Sequence, residues 1–195
     1  MAGPSDTFVL TRTGRSIRNR SVLAAMTNKQ SHEDGRLSDE EIHWLALRAK
    51  GKFGIITTAA ANITEKGRGW DGEMGVWGDH QLPGLTKMAK ALRSHGALSL
   101  VQLFHGGMRA PERINGVQPV SASINTEAGM EGSTRALSGV EVNQLVEDFA
   151  DAALRCHAAG FDGVELHGAH SYLICQFLGH KTNRREDEWG GSFQE

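Results

Sequence analysis

VELHGAHSYL, residues 164–173, decides how this chain is read. Val164 and Leu166 look like the end of an apolar strand, and His167, His170 and Tyr172 follow within a glycine-containing turn. A purely structural strand has little use for three titratable or hydrogen-bonding groups at its exit. FDGVELH, 161–167, therefore predicts a strand that delivers side chains to a working face.

Three earlier stretches repeat the pattern. SVLAAM, 21–26, reads as a first buried strand. FGIITTAA, 53–60, is rich in β-branched residues and free of charge, as a strand covered on both faces is. ALSLVQLF, 97–104, is another apolar run and passes straight into His105 and two glycines. Helices fall between them. Ser38 and Glu41 stand at capping-box spacing before a helix running to about Ala49, and Ser138 and Glu141 repeat that spacing. Leu85, Met88, Ala89 and Leu92 recur at helical intervals before Gly96. Val142, Leu145, Val146, Phe149, Ala153 and Cys156 form a stripe before Gly160.

Strands alternating with helices predict right-handed βαβ crossovers and a parallel sheet. FVLTRTGRSIRN, 8–19, predicts a small hairpin ahead of it. The strand exits share a character: Met26 and Thr27, Ala60 and Ala61, Gln102 and His105, His167 and His170. In a TIM (β/α)8 barrel such positions converge on the active-site face. A whole barrel takes roughly 250 residues, so this α/β chain is expected to hold about the first four βα units, residues 1–195 being the amino-terminal portion of a single barrel domain. Open sheet edges would then need a continuation, a second copy in a homo-oligomer or a complementary barrel half. The segment from His105 to Leu137 is long for a connection and is expected to fold over something.

Composition narrows the function. With 39% hydrophobic and 23% charged residues, the 195-residue chain suits a soluble globular protein. A net charge of -2 gives nucleic acid no electrostatic reason to bind, and the KTNRR cluster at 181–185 runs directly into EDE. Cys156 and Cys175 lack the spacing of a disulfide framework, which suits a reducing cytoplasm, and Cys156 reads as packing. MAGPSDTFVL shows no basic-then-apolar leader, and no apolar run reaches membrane-spanning length.

The candidate residues have definite chemistry. His167 and His170 can donate hydrogen bonds to a carbonyl, a phenolate or a developing anion. They can also be ligands of a metal, with His105 as a third, although neither HExxH nor CxxC is present. Tyr172 can donate a proton or simply anchor a helix start. Gln102, at the end of a buried strand, can read the carbonyl and N–H pattern of a heterocycle or fix a loop. Arg184, Arg185, Asp187 and Trp189 in the 183–192 segment read as scaffolding.

HGAHSYLICQFLGHKTNRREDEWGGS, 167–192, resembles the signature of the old yellow enzyme family of flavin-dependent ene-reductases. The likeness extends through VQLFHGG (101–107), FGIITTAA (53–60) and IRNRSVLAAMT (17–27). It implies a (β/α)8 barrel that binds FMN and uses NADH or NADPH to reduce electron-poor alkenes. By this resemblance Ala25, Met26 and Thr27 line the flavin, Ala60 approaches its ring, and Gln102 bonds to its pyrimidine edge. His167 also counts among the flavin contacts. His167 and His170 bind the activating oxygen of an alkene or a phenolic ligand, and Tyr172 protonates carbon. No metal is implied. Residues that hold the flavin phosphate belong to later strands of the family's barrel, beyond Glu195.

The chain departs from the family in places. Ala25 replaces a frequent proline, Lys29 stands near an aromatic of one branch, Ser171 replaces a common glycine, LGH at 178–180 replaces LSP, and Trp189 replaces a common tyrosine. Two other classes stay open on the residues alone: a non-enzymatic, assembly-dependent half-barrel and a metal-dependent barrel hydrolase.

Overall fold

A computed structural model describes residues 2–127, 130 and 132–192. The expected hairpin is present: β1 (Phe8–Val9) pairs antiparallel with β2 (Ser16–Ile17). There follow β3 (Val22–Leu23), α1 (Asp39–Lys50), β4 (Ile55–Asn62), β5 (Met74–Gly75), α2 (Leu82–Ser94) and β6 (Leu98–Phe104). The rest comprises α3 (Glu112–Asn115), β7 (Val120–Ser121), β8 (Arg135–Ala136), α4 (Gly139–Ala159), β9 (Gly163–Leu166) and α5 (Leu173–Leu178).

β3, β4, β6 and β9 lie side by side in that order, every pairing parallel, and β5 adds to the carboxyl end of β4. Sequential strands are neighbours, and helices cover the connections: α1 packs on α2, and α2 on α4. This is an α/β fold with a partial parallel sheet, the arrangement of a partial (β/α)8 barrel with a hairpin ahead of it. Among the described residues no helix is long and apolar enough to cross a membrane.

The core sits between helices and sheet. Leu85, Met88, Ala89 and Leu92 of α2 are all at most 1% exposed, and burying each of the larger three stabilises by roughly 1.5–3 kcal/mol. Ile56, Val101 and Leu103 meet them from the strands. Cys156 joins this core, and burial pushes its thiol up to about 12, so it packs and does not react. Both cysteines are free.

The two capping boxes differ. At α4, Ser138 Oγ accepts from Glu141 N and the Glu141 carboxylate accepts from Ser138 N, with Arg135 bound to the same carboxylate at 2.7 and 2.8 Å. At α1, Ser38 Oγ accepts from Glu41 N, but the Glu41 side chain turns away to accept from Asn28 Nδ2 (2.9 Å) and Ser31 Oγ (2.5 Å). Only half of that box forms, because these interior donors claim the carboxylate.

Three expectations need correction. SVLAAM is not a buried strand: only Val22 and Leu23 pair, Val22 is 53% exposed, and Met26 is half-exposed. β3 is an outer strand of the sheet, so one of its edges has no neighbour there among the described residues. Val146 belongs to the predicted buried stripe by spacing yet is exposed, since it lines an open apolar cavity with Leu145 and Phe149 that no further element fills among the described residues. Ala60 and Ala61 lie inside β4, which continues to Asn62.

Candidate active site

A slip in register builds the floor of the site. Between Thr57 and Ala60 the β4–β6 ladder carries one extra residue on β4, which brings Ala60 opposite Gln102. Such bulges re-aim side chains at strand ends. Gln102 in turn stands opposite Glu165 on β9, so three strands contribute one row: Ala60, Gln102, Glu165. The period of two in a strand then returns His167 to the side Glu165 occupies, and His167 N extends the ladder by donating to Leu103 O at 3.0 Å.

Gln102 is the amide the sequence singled out, and its partner is now evident. Nε2 donates to Glu165 Oε1 at 2.5 Å. That commitment leaves Oε1 to accept from a ring N–H. VELH places Glu165 and His167 two apart on one strand, a signal that the sequence reading passed over.

Beyond the floor stands an aromatic cluster. Phe104, fully buried at the end of β6, packs edge-on against Tyr172 with centroids 4.4 Å apart. Tyr172 meets His167 edge-on at 4.8 Å, and His167 meets His170 at 5.2 Å. Trp70, from the glycine-rich loop after β4, leans on the other side of Phe104 at 5.3 Å. Tyr172 does occupy the N-cap position of α5, but its side chain makes no capping bond. Its place is set by ring packing.

Hydrogen bonding assigns the His167 tautomer. Nδ1 accepts from Ala169 N at 3.3 Å, so the neutral ring carries its proton on Nε2 and can donate there. Burial lowers the pKa of His167, and the neighbouring His170 adds to the effect. Burial raises the pKa of Tyr172, opposed by the Arg109 charge and reinforced by Glu73. Both groups therefore hold a donatable proton at neutral pH. Glu73 is itself buried, with Oε2 accepting from Gly69 N at 2.6 Å, and burial pushes its carboxyl well above the usual range.

One cavity of about 290 Å³ gathers the residues nominated for flavin and substrate: Ala25, Met26 and Thr27 after β3, Ala60 from β4, Gln102 from β6, and His167, His170 and Tyr172 after β9. Trp70 and Glu165 also line it. His105 is not among these residues. It is 5% exposed, its Nδ1 accepts from Gly107 N at 3.0 Å, and burial lowers its pKa to about 4. A three-histidine metal site thus lacks its third member.

The 105–137 segment walls a second cavity of about 520 Å³ on the far side of Trp70 and Tyr172, with Met108, Arg109 and Pro119 in its lining. Arg109 is held there by a bidentate pair with Glu127, at 2.9 and 2.5 Å. The 183–192 segment is scaffolding, as its composition suggested. Arg185 grips Asp187 through both carboxylate oxygens and donates to Ala122 O and Leu137 O. A Cβ at Gly190 would lie 2.1 Å from Arg185 O, so only glycine fits that approach.

The donor set suits the edge of a flavin ring. The row of Ala60 and Gln102 leaves space beside an amide acceptor, and Ala25 adds a second small side chain. No lysine or arginine lines this cavity among the described residues, so the charges that would hold a phosphate are not part of it.

A model of the NADH:flavin oxidoreductase / NADH oxidase family matches residues 11–195. The chain belongs to this family. Its resemblance to the old yellow enzyme group is thereby borne out. Among family members it is 40% identical over 181 residues to the probable NADH-dependent flavin oxidoreductase YqiG of Bacillus subtilis (strain 168), covering 93% of this chain and 48% of that protein. Morphinone reductase superposes with a TM-score of 0.91 at 31% identity, covering 98% of this chain and 54% of that one. A 2-naphthoyl-CoA reductase in complex with 2-naphthoyl-CoA superposes with a TM-score of 0.93 at 28% identity, covering 98% and 31%. The chain spans about half the length of its Bacillus relative.

Proposed function

We propose that residues 1–195 form the amino-terminal portion of an FMN-binding barrel domain whose protein reduces activated alkenes with NADH or NADPH. The observation that carries this reading is the meeting of Gln102 with His167, His170 and Tyr172 in one cavity at the strand exits. Bound FMN would supply the hydride. The chain's own residues supply position and charge. Gln102 Oε1 accepts from the ring edge, with Ala25, Met26, Thr27 and Ala60 alongside. His167 Nε2–H, with His170 beside it, donates to the carbonyl or nitro oxygen of the alkene and stabilises the negative charge that grows there. Tyr172, kept protonated by burial, passes its proton to the carbon that hydride does not reach.

The family membership supports a flavin oxidoreductase, and the likeness to morphinone reductase and 2-naphthoyl-CoA reductase supports a reductase. The two free thiols suit a reducing compartment such as the cytoplasm. The test is anaerobic incubation of the FMN-loaded protein with NADH or NADPH and 2-cyclohexen-1-one, following both reagents. Oxidation of the nucleotide matched one-for-one by saturated ketone is expected. Nucleotide oxidation with no loss of this enone or of a nitroalkene contradicts the reading.

A further inference from the structure

The turn that carries the proposed working groups is held in an unusual backbone. His170 (φ 55°) and Ser171 (φ 59°) are adjacent and both left-handed, although neither is glycine. Histidine visits that region more readily than most residues, serine less so, and two in succession persist only where the surroundings over-determine them. His170 and Tyr172 flank Ser171, so any relaxation of Ser171 moves an imidazole and a phenol together.

The surroundings come to a point at Gln176. This amide is 1% exposed in the middle of α5. Its Nε2 donates to Ser171 O at 2.6 Å and, at the long distance of 3.4 Å, to Gly106 O. Its Oε1 accepts from Met108 N at 3.1 Å. Both N–H groups and one acceptor are thus used, and all three bonds cross to backbone. Between these two loop partners Gly107 approaches so closely that a Cβ there would lie 2.5 Å from Gln176 Oε1. A buried amide fully committed to three backbone groups has one orientation open to it.

We propose that Gln176 is a positioning residue, whose amide pins the left-handed His170–Ser171 turn to the 106–108 loop and so sets where the His170 imidazole and the Tyr172 phenol stand. The proposal rests on the functional reading only in treating those two groups as working ones. The 106–108 loop leads directly into Arg109 in the wall of the second cavity, so the same amide ties that wall to the turn.

The chain has a single tyrosine, so 13Cζ-tyrosine labelling places one NMR resonance on Tyr172, readable with or without flavin. In Gln176→Leu, a swap of similar volume, the Tyr172 resonance is expected to move and to titrate closer to an ordinary tyrosine as the turn relaxes. Adding Ser171→Gly, which makes left-handed backbone easy, should return it to the wild-type position. In the FMN-loaded protein, kcat on an enone should fall about a hundredfold in Gln176→Leu, as for a misplaced reacting group, and recover in the double variant. If Gln176→Leu alone does not fold, recovery of folding by Ser171→Gly supports the proposal and failure to recover overturns it. A folded Gln176→Leu with Tyr172 unmoved, or a change that Ser171→Gly does not reverse, also overturns it. The resonance needs no turnover, so a wild-type protein inactive on alkenes would sink the functional reading and leave this result standing.

Discussion

Two strand exits in this chain begin with the same two residues and make the same local bond. After β6, His105 Nδ1 accepts from Gly107 N; after β9, His167 Nδ1 accepts from Ala169 N. Both rings are fixed in one tautomer by the amide two residues on. Their surroundings separate them. His105 is buried, and a Cβ on Gly67 would lie 2.5 Å from its ring, whereas His167 faces a cavity beside His170 and Tyr172. Local sequence and local bonding do not decide whether a histidine is presented to a cavity; what the second ring nitrogen faces does.

The most severe way to break this comparison is to remove the cavity-facing pair. His167→Ala with His170→Ala should weaken binding of a phenolic ligand to the FMN-loaded protein and lower kcat on an enone by about 10²–10³-fold, the scale of a lost oxyanion donor in turnover. His105→Ala should leave that affinity in place in the folded protein while lowering stability, because Gly107 N–H is left buried and unpaired at about 1–3 kcal/mol. Calorimetric titration with denaturant melts on both variants separates the two effects.

Tyr172→Phe sharpens the contrast between binding and chemistry. The ring packing on Phe104 remains, so ligand affinity and thermal stability should change little, while turnover falls about 10²-fold or more with loss of the proton donor. Steady-state kcat against ligand Kd reads the difference.

The pH response distinguishes the histidines without any ligand. His105 has a folded pKa of about 4, below the roughly 6.5 of an unfolded chain. The folded state therefore binds fewer protons in that interval. The stability it contributes is full above about pH 6.5 and is lost as pH falls towards 4, roughly 2 kcal/mol of it by pH 5. Urea midpoints measured at pH 7 and 5 should show this loss, and His105→Gln should remove most of it.

Ser171→Gly has the smallest effect. Relief of one left-handed serine should raise stability by up to about 1 kcal/mol, seen as a small rise in Tm.

Much of this was legible in the sequence, and the failures share a cause. The strand exits were readable because apolar runs end abruptly in polar residues, and the residues nominated for flavin and substrate line a single cavity, whereas His105 does not. Glu165 and Trp70 were missed. Glu165 matters only through a cross-strand partner 63 positions away, and the bulge that aligns Ala60 with Gln102 has no marker in FGIITTAA. Gln176 left a trace, a lone amide inside the apolar LICQFL, whose meaning depends on a loop 68 positions earlier. The burial of β3 and of Val146 was overstated because periodicity reports which residues share a face, not whether another element covers it. Roles such as the half-formed box at Ser38 depend on competing donors that only the folded chain assembles.

The measurement that tests the account most directly is a flavin titration of the purified protein, following FMN fluorescence and recording native mass in the same samples. Saturable binding near one FMN per chain in a defined assembly, weakened about tenfold by Gln102→Leu as befits the loss of one good hydrogen bond, is the predicted result. A demonstrably folded protein that leaves FMN unbound, or binds it equally well with Gln102→Leu, would contradict the placement of the ring at the strand exits.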